Sequence, residues 1–296
     1  MGPVFCLLSA VGFGLMAVFA KLAYADGASV DGLLVVRFGL AGLVLLVIGA
    51  ATGALRRLER RTVLTGLAMG GLGYALQAGL YLAAVSRVDA SQVALVFCVY
   101  PVLVMVAAIA IGRERSSARR LAALVLALAG IVLVLGGAAG GGFDPVGAAL
   151  SFGSALVYCV YILVGDRVVT DIPPLPLAAF ICVGAFISCL AASLLVGGGP
   201  DLDLGRAAWG WLSALALVST VGAILLFFAG MARVGPTPAA LLSIIEPVVT
   251  VGAAAIVFGE ALAAGQAFGG LLVLSAVAVV QWPVRQQGLE LEPASA

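Results

Sequence analysis

Long apolar runs alternate with short polar connections along the whole chain. A membrane-spanning helix needs about 20 mostly apolar residues, and ten stretches satisfy this rule. Strands of a membrane barrel alternate apolar and polar residues, and the runs here lack that alternation, so each run is predicted to be a helix. The predicted spans are roughly residues 2–24, 31–53, 62–85, 90–111, 118–138, 145–165, 175–197, 208–231, 236–258 and 263–282.

The first run differs from a signal peptide. It has no cationic leading segment, and its apolar stretch from Gly2 to about Leu22 is longer than the about 7–15 apolar residues of a signal peptide. We therefore predict a spanning helix that stays in the mature protein. No connection is long enough for a soluble domain, and the polar tail at residues 284–296 is expected to be a disordered cytoplasmic segment.

Basic residues fall mainly on one side of the predicted bundle. Short loops rich in Lys and Arg normally face the cytoplasm, so both termini are predicted to lie there, and the expected location is the inner (plasma) membrane. The basic residues on the side of the termini are Arg56, Arg57, Arg60, Arg61, Arg113, Arg115, Arg119, Arg120, Arg167, Arg233 and Arg285. Those on the opposite side are Lys21, Arg87 and Arg206.

Composition agrees with a membrane protein and narrows its function. Hydrophobic residues make up 64% of the 296 residues and charged residues 10%, whereas soluble domains carry about 25% charged residues. A net charge of +1 gives no electrostatic reason to bind nucleic acid. The chain has no histidine, which removes the most common catalytic base and metal ligand.

Neither catalysis nor a cofactor is expected from the remaining residues. No acidic cluster occurs at metal-binding spacing, and no Walker motif for ATP is present, so no metal site is predicted. The cysteines lie in apolar runs without a C-x-x-C pair and are interpreted as small core residues. They are Cys6, Cys98, Cys159, Cys182 and Cys189.

The chain contains an internal repeat. A shift of 146 residues aligns the scarce residues of the two halves: Arg87 with Arg233, Pro101 with Pro247, and Glu114 with Glu260. A shift of 142 aligns Pro3 with Pro145 and Ser9 with Ser151. The repeat predicts one unit of five helices at residues 1–138 and a second at residues 144–283.

An odd number of helices in each unit determines how the units are oriented. The second unit must lie in the membrane upside down relative to the first. Such inverted repeats are typical of secondary transporters, because the inward-open and outward-open states can then be close in energy. The predicted fold is an all-α integral membrane protein with ten transmembrane helices in two inverted five-helix repeats.

The end of each half carries the same residue pattern. Residues 240–280 contain an apolar run, Pro247-Val248 in mid-helix, Gly259-Glu260 and a glycine-rich last helix, and residues 93–134 follow the same order. This pattern resembles the EamA repeat of the drug/metabolite transporter superfamily, over essentially the whole chain to about Trp282. The resemblance implies a central cavity lined mainly by helices one, three, four, six, eight and nine. Members export amino acids and other metabolites, and the YddG-type amino-acid exporters are the kind that it suggests.

Glu246 is the carboxylate predicted near the bilayer centre. A charge there costs at least about 2.5–3.5 kcal/mol on insertion scales, so it needs water, a partner or a substrate. Ser243, Glu246 and Thr250 share one helix face, and Pro247 removes a backbone donor beside them. Glu246 either meets a substrate amine or a proton, or forms a structural ion pair, for which Arg37 is a candidate.

Arg37 itself lies in the second predicted helix, several residues after Asp31. Its planar guanidinium could pair with a substrate carboxylate, extend toward the surface or bind a helix carbonyl. The family pattern does not put this helix at the cavity, so Arg37 is not among the predicted binding residues.

Aromatic and polar side chains form stripes on three helices that the resemblance puts around the cavity. Such stripes are also compatible with plain packing or with interfacial belts. The interpretation adopted is an amphipathic cavity that tolerates rings. The predicted substrate-binding residues are Glu246, Tyr74, Gln77, Tyr81, Tyr100, Tyr158, Tyr161, Phe227 and Ser243, with Pro101 and Pro247 as structural or hinge residues.

Several residues at helix ends are predicted to be structural. Trp209, Trp211 and Trp282 are interpreted as interfacial anchors. Glu114 and Glu260 are expected to cap the helices that follow them, because helix N-termini attract carboxylates.

The expected function is secondary transport by alternating access. The protein is expected to export small metabolites, with amino acids, including aromatic and hydrophobic ones, as the leading class. Another metabolite or a drug is an alternative substrate, and a neutral-solute channel is an alternative of a different class. The expected partners are a small-molecule substrate and the lipid bilayer, and the protein is expected to be a monomer or weak oligomer.

Overall fold

The computed structural model describes residues 1–56, 58–112, 117–137, 144–168, 172–235, 239 and 242–281. Over these residues the regular structure is helical, with no strand. Eight of the described helices are long and apolar enough to cross a membrane, and two shorter apolar helices follow them. The predicted all-helical membrane fold is therefore confirmed, because helices satisfy their own backbone groups in lipid.

We number ten helices of the described chain in chain order. They are α1 (Gly2–Ala25), α2 (Val30–Ala51), α3 (Arg60–Val85), α4 (Ala90–Ala110), α5 (Ala118–Gly137), α6 (Pro145–Val168), α7 (Pro174–Gly197), α8 (Arg206–Val234), α9 (Ile245–Phe258) and α10 (Ala264–Gln281). The predicted start of the ninth span, like Glu114, Trp282 and the tail at 284–296, lies outside the described residues.

Several helices are interrupted near the middle of the bundle. α4 consists of Ala90–Phe97 and Tyr100–Ala110, and a turn at Ile244 precedes α9. The break at Cys98 lies 146 residues before Ile244, so the repeat extends to local structure. α3 and α8 contain π-helical segments at Met69–Tyr74 and Leu217–Gly222, which are frequent at functional sites.

Pro101 and Pro247 lie in the first turn after these breaks. Proline has no backbone N–H, and the N–H groups in the first turn of a helix have no intrahelical acceptor. A proline in this turn therefore costs the helix no hydrogen bond. The two prolines therefore mark where α4 and α9 restart. Their role as hinges stays a prediction.

The two halves pack against each other through reciprocal contacts. The start of α1 lies against the end of α8, where the absence of a side chain on Gly2 leaves room for Val234. The start of α6 lies in the same way against the end of α3, where Gly147 leaves room for Val88. Val88 and Val234 are repeat mates at a shift of 146.

Hydrogen bonds at these contacts correct the predicted alignment of α1 with α6. The Ser9 hydroxyl donates to the Ala223 carbonyl (2.7 Å), and the Ser154 hydroxyl donates to the Gln77 carbonyl (3.1 Å). Because Ala223 is the mate of Gln77, Ser9 corresponds to Ser154, a shift of 145. The predicted shift of 142 was wrong, because Ser151 lies on the same face of α6 at a spacing of three residues.

Equivalent helices of the two halves also pair with each other, as α2 with α7, α4 with α9 and α5 with α10. Between α5 and α10, a Cβ atom on Gly130 would meet the Gly269 carbonyl oxygen at 2.7 Å, and one on Gly269 would meet the Gly130 carbonyl oxygen at 2.6 Å. Mutual contacts of this kind are what a two-fold relation between two units produces. Glycine permits the close approach on which helix packing in lipid depends.

The helix ends form two groups of opposite character. At one end, which we call the acidic end, Lys21 contacts Glu260, Arg87 contacts Asp144, and Ser193 donates to Asp31. At the other, which we call the arginine end, Arg119 at the start of α5 donates to the Val279 carbonyl in α10. The arginine end also contains Arg56, Arg60, Arg61, Arg120 and Arg233, whereas Arg57, Arg113, Arg115, Arg285 and the side chain of Arg167 lie outside the described residues.

Candidate functional site

A cavity of about 360 Å³ lies at the centre of the bundle. Its size falls in the range of small-molecule pockets, about 300–1,000 Å³. Its walls contain all of the residues predicted to bind substrate: Tyr74, Gln77, Tyr81, Tyr100, Tyr158, Tyr161, Phe227, Ser243 and Glu246. The structure therefore brings these side chains together, and their contact with a substrate stays a prediction.

The cavity has more walls than the six predicted helices provide. α1 contributes Phe13 and Met16, as expected for the first helix. α2 contributes Arg37, and α7 contributes Pro174 and Ile181, although neither helix was expected to line the cavity. Whether Arg37 or Ile181 faces the cavity depends on how its helix is rotated about its own axis. That rotation follows from packing between segments that are far apart in the chain.

Glu246 lies in the first turn of α9, directly after the turn at Ile244. It lines the central cavity and also a small adjoining cavity of about 30 Å³, which is shared with Tyr81, Tyr100 and Pro101. Among the described residues, no group donates a hydrogen bond to its carboxylate and no basic side chain lies within ion-pair distance. The ion pair with Arg37 considered from the sequence is not formed.

The backbone around Glu246 is held against α1. Thr250 donates a hydrogen bond to the Gly14 carbonyl oxygen at 2.8 Å, and its hydroxyl also lies 3.2 Å from the Glu246 carbonyl oxygen. A side chain at position 14 would come within 2.7 Å of that same Glu246 oxygen, so only glycine allows α1 this close. Ser243, predicted on the same face, reaches the cavity while its hydroxyl donates to the Ala239 carbonyl.

Aromatic rings form a continuous wall along one side of the cavity. Tyr74 lies 5.8 Å from Tyr161, Tyr161 lies 5.8 Å from Tyr158, and Tyr158 lies 4.8 Å from Tyr100, measured between ring centroids. Phe97 connects this row to Tyr81, with a centroid distance of 5.2 Å. Rings at these separations attract one another beyond their burial, so the wall is a single packed unit.

Gln77 joins α3 to α6 beside the ring wall. Its side-chain nitrogen donates to the Ser154 hydroxyl (3.0 Å), and that hydroxyl donates to the Gln77 backbone carbonyl. The Gln77 amide is therefore partly committed to structure, although the residue lines the cavity.

Arg37 is the functional candidate that the sequence reasoning left out. It is 2% exposed and lines the cavity from α2. Its Nε donates to the Thr220 hydroxyl at 3.0 Å, and its Nη2 lies 3.4 Å from the Tyr74 hydroxyl. A signal was present in the sequence, since an arginine inside an apolar span is expensive and normally faces the bundle interior.

Comparison with known proteins agrees with this geometry. The model of the EamA-like transporter family matches residues 1–136 and again residues 145–282. The chain belongs to the EamA-like transporter family. An uncharacterized transporter of Bacillus subtilis (strain 168), YcbK, is 26% identical over 287 residues, covering 90% of this chain and 88% of that protein. A solved crystal structure shares the fold, with a TM-score of 0.67 at 21% identity, over 94% of this chain and 95% of the other.

The family places this chain among the membrane transporters of the drug/metabolite transporter superfamily, as the residue pattern predicted. The family model matches the chain twice, once in each half, and this agrees with the internal repeat predicted from the sequence.

The acidic end of this EamA-like transporter carries a compact ion-pair cluster, formed by Lys21, Asp89, Ser91 and Glu260. Lys21 Nζ lies 2.7 Å from Glu260 and 3.3 Å from Asp89. Glu260 also accepts hydrogen bonds from the backbone N–H groups of Ala90 and Ser91 and from the Ser91 hydroxyl. The cluster therefore connects α1, the start of α4 and the segment between α9 and α10.

This geometry corrects the role predicted for Glu260. Instead of capping the helix that follows it, Glu260 caps α4 of the other repeat. Burial raises the pKa of Glu260, but hydrogen bonds from Lys21 and Ser91 and the charge of Lys21 outweigh it, so the pKa lies below its ordinary value. The carboxylate is therefore ionised at neutral pH.

A second pair at the acidic end joins the two repeats. Arg87 Nε donates to Asp144 at 2.8 Å. The backbone N–H of Gly147, at the start of α6, lowers the pKa of Asp144, and Arg87 lowers it further. Trp211 also forms a hydrogen bond at the acidic end, where its indole N–H donates to the Asp26 carboxylate at 3.0 Å. Trp209 is 39% exposed, in agreement with an anchor at the membrane surface.

The cavity of the EamA-like transporter extends toward the arginine end. Pro174, in the first turn of α7, is exposed and belongs to the cavity lining. At the opposite side, Met16 lines the cavity, and Lys21 of the ion-pair cluster follows about one helical turn later in α1. The cavity lining thus extends to Pro174 at the arginine end, whereas the ion-pair cluster lies beyond Met16 at the acidic end.

Proposed function

We propose that this protein is a secondary transporter that exports small metabolites across a bacterial-type inner membrane by alternating access, with amino acids as the leading substrate class. Family membership supports transport. The ring wall and the carboxylate of Glu246 support a small amphipathic substrate with an amine, and aromatic and hydrophobic amino acids fit that description. No cofactor enters the proposal.

The proposed topology has ten spans in two inverted repeats. α9 and α10 are the shorter helices, and we count them as spans because each packs on its long mate, α4 and α5. The positive-inside rule places the arginine end, and with it both termini, in the cytoplasm. All of the described lining residues belong to one chain, which supports a monomer or a weak oligomer as the transporting unit.

A single observation carries the proposal: the cavity lining reaches Pro174 at the arginine end, and the ion-pair cluster lies beyond Met16 at the acidic end. In the proposed topology this is an inward-open state, ready to receive a cytoplasmic substrate. Because the repeats are equivalent, rocking one against the other produces the outward-open counterpart. A neutral-solute channel would need a path open at both ends, and the ion-pair cluster argues against it.

Transport in proteoliposomes tests the proposal. Vesicles loaded with one unlabelled amino acid at a time are mixed with the same labelled amino acid, and counterflow is measured over a panel of amino acids. We expect saturable counterflow for at least one aromatic or hydrophobic member. Linear, unsaturable flux would favour the channel, and counterflow of other metabolites alone would replace the substrate class.

The role of Glu246 is tested in the same assay. Because its carboxylate has no partner among the described residues, Glu246→Gln removes a charge that the proposal assigns to the substrate or a proton. We expect counterflow to fall at least tenfold. Glu59→Gln is the matched control, since Glu59 is exposed at the arginine end, and should transport at the wild-type rate. Wild-type rates in Glu246→Gln would remove Glu246 from the mechanism.

A further inference from the structure

Arg37 is a buried cation without a counter-ion in the described structure. Every ion pair between described residues lies at the acidic end of the bundle, and none involves Arg37. Its neighbours are neutral: the Thr220 and Tyr74 hydroxyls and the ring of Phe38, whose centroid lies 5.0 Å from the guanidinium carbon. An arginine inside a membrane costs at least about 2.5–3.5 kcal/mol on insertion scales, so an unpaired one calls for a ligand.

The guanidinium is held along one edge and open along the other. Nε and Nη2 form the held edge, with Thr220 and Tyr74 as acceptors. The Thr220 hydroxyl in turn donates to the Leu215 carbonyl, so the π-helical segment of α8 positions it. No described residue accepts a hydrogen bond from Nη1. Among described residues the only fully buried side-chain N or O atom without a hydrogen bond is the Ser219 hydroxyl, so Nη1 is not fully buried. Nη1 therefore faces the open cavity.

The edge of the guanidinium that carries Nη1 is therefore available to a ligand. Guanidinium groups bind carboxylates through two parallel N–H···O bonds, and such charge-assisted pairs are about twice as strong as neutral hydrogen bonds. A lysine would offer one point charge in place of this fork. The available edge thus matches a planar carboxylate.

Glu246 supplies the opposite charge to the same cavity. It too has no partner among the described residues, and the ring wall runs from Tyr74 beside Arg37 to Tyr100 beside Glu246. Two opposite charges in one cavity, left apart from each other, are complementary to a molecule that is neutral overall but carries both signs.

We propose that Arg37 binds the carboxylate of a zwitterionic substrate while Glu246 binds its ammonium group, which makes Arg37 a specificity-determining residue. The inference rests on the proposed function and names the chemistry of that same site. A simple amine leaves Arg37 unpaired, and a simple carboxylic acid leaves Glu246 unpaired. The site therefore selects zwitterions over molecules of similar shape that have only one charge, because an unpaired buried charge is costly.

Three probes that share one side chain and differ in their charged groups separate these cases. L-Phenylalanine is the zwitterion, 2-phenylethylamine lacks the carboxylate, and 3-phenylpropanoate lacks the amine. L-Leucine, 3-methylbutylamine and 4-methylpentanoate repeat the series without a ring. Binding to the purified full-length protein in nanodiscs is measured by calorimetry at pH 7. We expect at least one zwitterion to bind tenfold or more tightly than both of its analogues.

Variants then assign each charge to its residue. Arg37→Gln should weaken zwitterion binding about 10–100-fold, to the level of the amine, and leave amine binding unchanged. Glu246→Gln should reduce zwitterion binding to the level of the acid. Arg87→Gln removes an arginine outside the cavity, paired with Asp144, and should bind all probes as wild type. Arg37→Lys keeps the charge without the fork and should show intermediate selectivity, which covers the case in which Arg37→Gln fails to fold.

The outcomes separate this inference from the proposed function. Equal loss of zwitterion and amine binding in Arg37→Gln would show a structural role and overturn the assignment. Amines or acids that bind the wild type as tightly as zwitterions would overturn it as well, as would the absence of any zwitterion binding. In each of these cases saturable counterflow of any metabolite would still uphold the transporter.

Discussion

At the scale of single residues, Tyr158 has three ring neighbours in the cavity wall, as many as Phe97. Its ring lies 5.5 Å from Phe97, 4.8 Å from Tyr100 and 5.8 Å from Tyr161. Each aromatic pair contributes about 0.5–1.5 kcal/mol beyond burial. Tyr158 therefore contributes to the wall mainly through its ring.

Two substitutions separate the ring of Tyr158 from its hydroxyl. Tyr158→Phe keeps all three ring contacts and should melt within about 1–2 °C of wild type. Tyr158→Ala removes them and should lose about 1–3 kcal/mol, less than a fully buried ring, because the side chain borders the cavity. Thermal unfolding of purified protein measures both. Equal melting temperatures for Tyr158→Ala and wild type would show that the wall adds nothing to stability.

At the scale of helices, glycines decide how closely α3 approaches α7. Gly66 and Gly70 lie on one face of α3, and a Cβ atom on Gly70 would meet the Ile181 carbonyl oxygen well inside contact distance. Gly184 makes the reverse contact with the Leu67 carbonyl oxygen. The two backbones are in direct contact at this crossing. A change of side-chain rotamer therefore cannot make room for an added methyl group.

Gly70→Ala should therefore destabilise the protein. The added methyl forces α3 away from α7 at the cavity wall, at a cost of about 1–3 kcal/mol. Gly252→Ala is the matched control, since Gly252 lies in α9 with nothing within 4 Å of an added Cβ. That change should be neutral or stabilising by up to about 1 kcal/mol, because alanine favours helices. Equal melting temperatures of the two variants would contradict the close crossing.

At the scale of the whole molecule, the ion-pair cluster lies at the acidic end, beyond Met16 of the cavity lining. Lys21 comes from the first repeat and Glu260 from the second. Any motion that opens the acidic end must break this 2.7 Å contact or move both groups together. The cluster thus affects the balance between the two access states as well as stability.

Glu260→Gln should shift that balance. Met16 lines the cavity, so Met16→Cys in a background without the native cysteines reports access. We expect a membrane-impermeant thiol reagent on the acidic side to label this position several-fold faster in Glu260→Gln. Asp203→Asn, which removes an exposed carboxylate from the same end, should leave labelling unchanged. Identical labelling in all three proteins would exclude the cluster from gating.

The pH dependence of stability follows from the same carboxylate. The pKa of Glu260 lies below its ordinary value of 4.5, so its stabilising effect is fully present above about pH 4.5 and is lost as the pH falls through the lowered pKa. Wild type should therefore exceed Glu260→Gln in melting temperature from pH 8 to pH 5. The difference should shrink as the pH falls below 4.5 and vanish once the pH is below the lowered pKa, and a difference that stays constant throughout would contradict the assignment.

The family resemblance put the predicted binding residues at the cavity, and the sequence by itself determined the helical membrane fold, the internal repeat and the helix faces that those residues share. These follow from local rules, since lipid demands apolar helices and helical spacing places residues on a face. Tertiary structure decided that Arg37 reaches the cavity, that Ser9 corresponds to Ser154, that Glu260 caps α4, and which end the cavity reaches. Each of these depends on the rotation and contact of helices far apart in the chain, which local spacing does not specify.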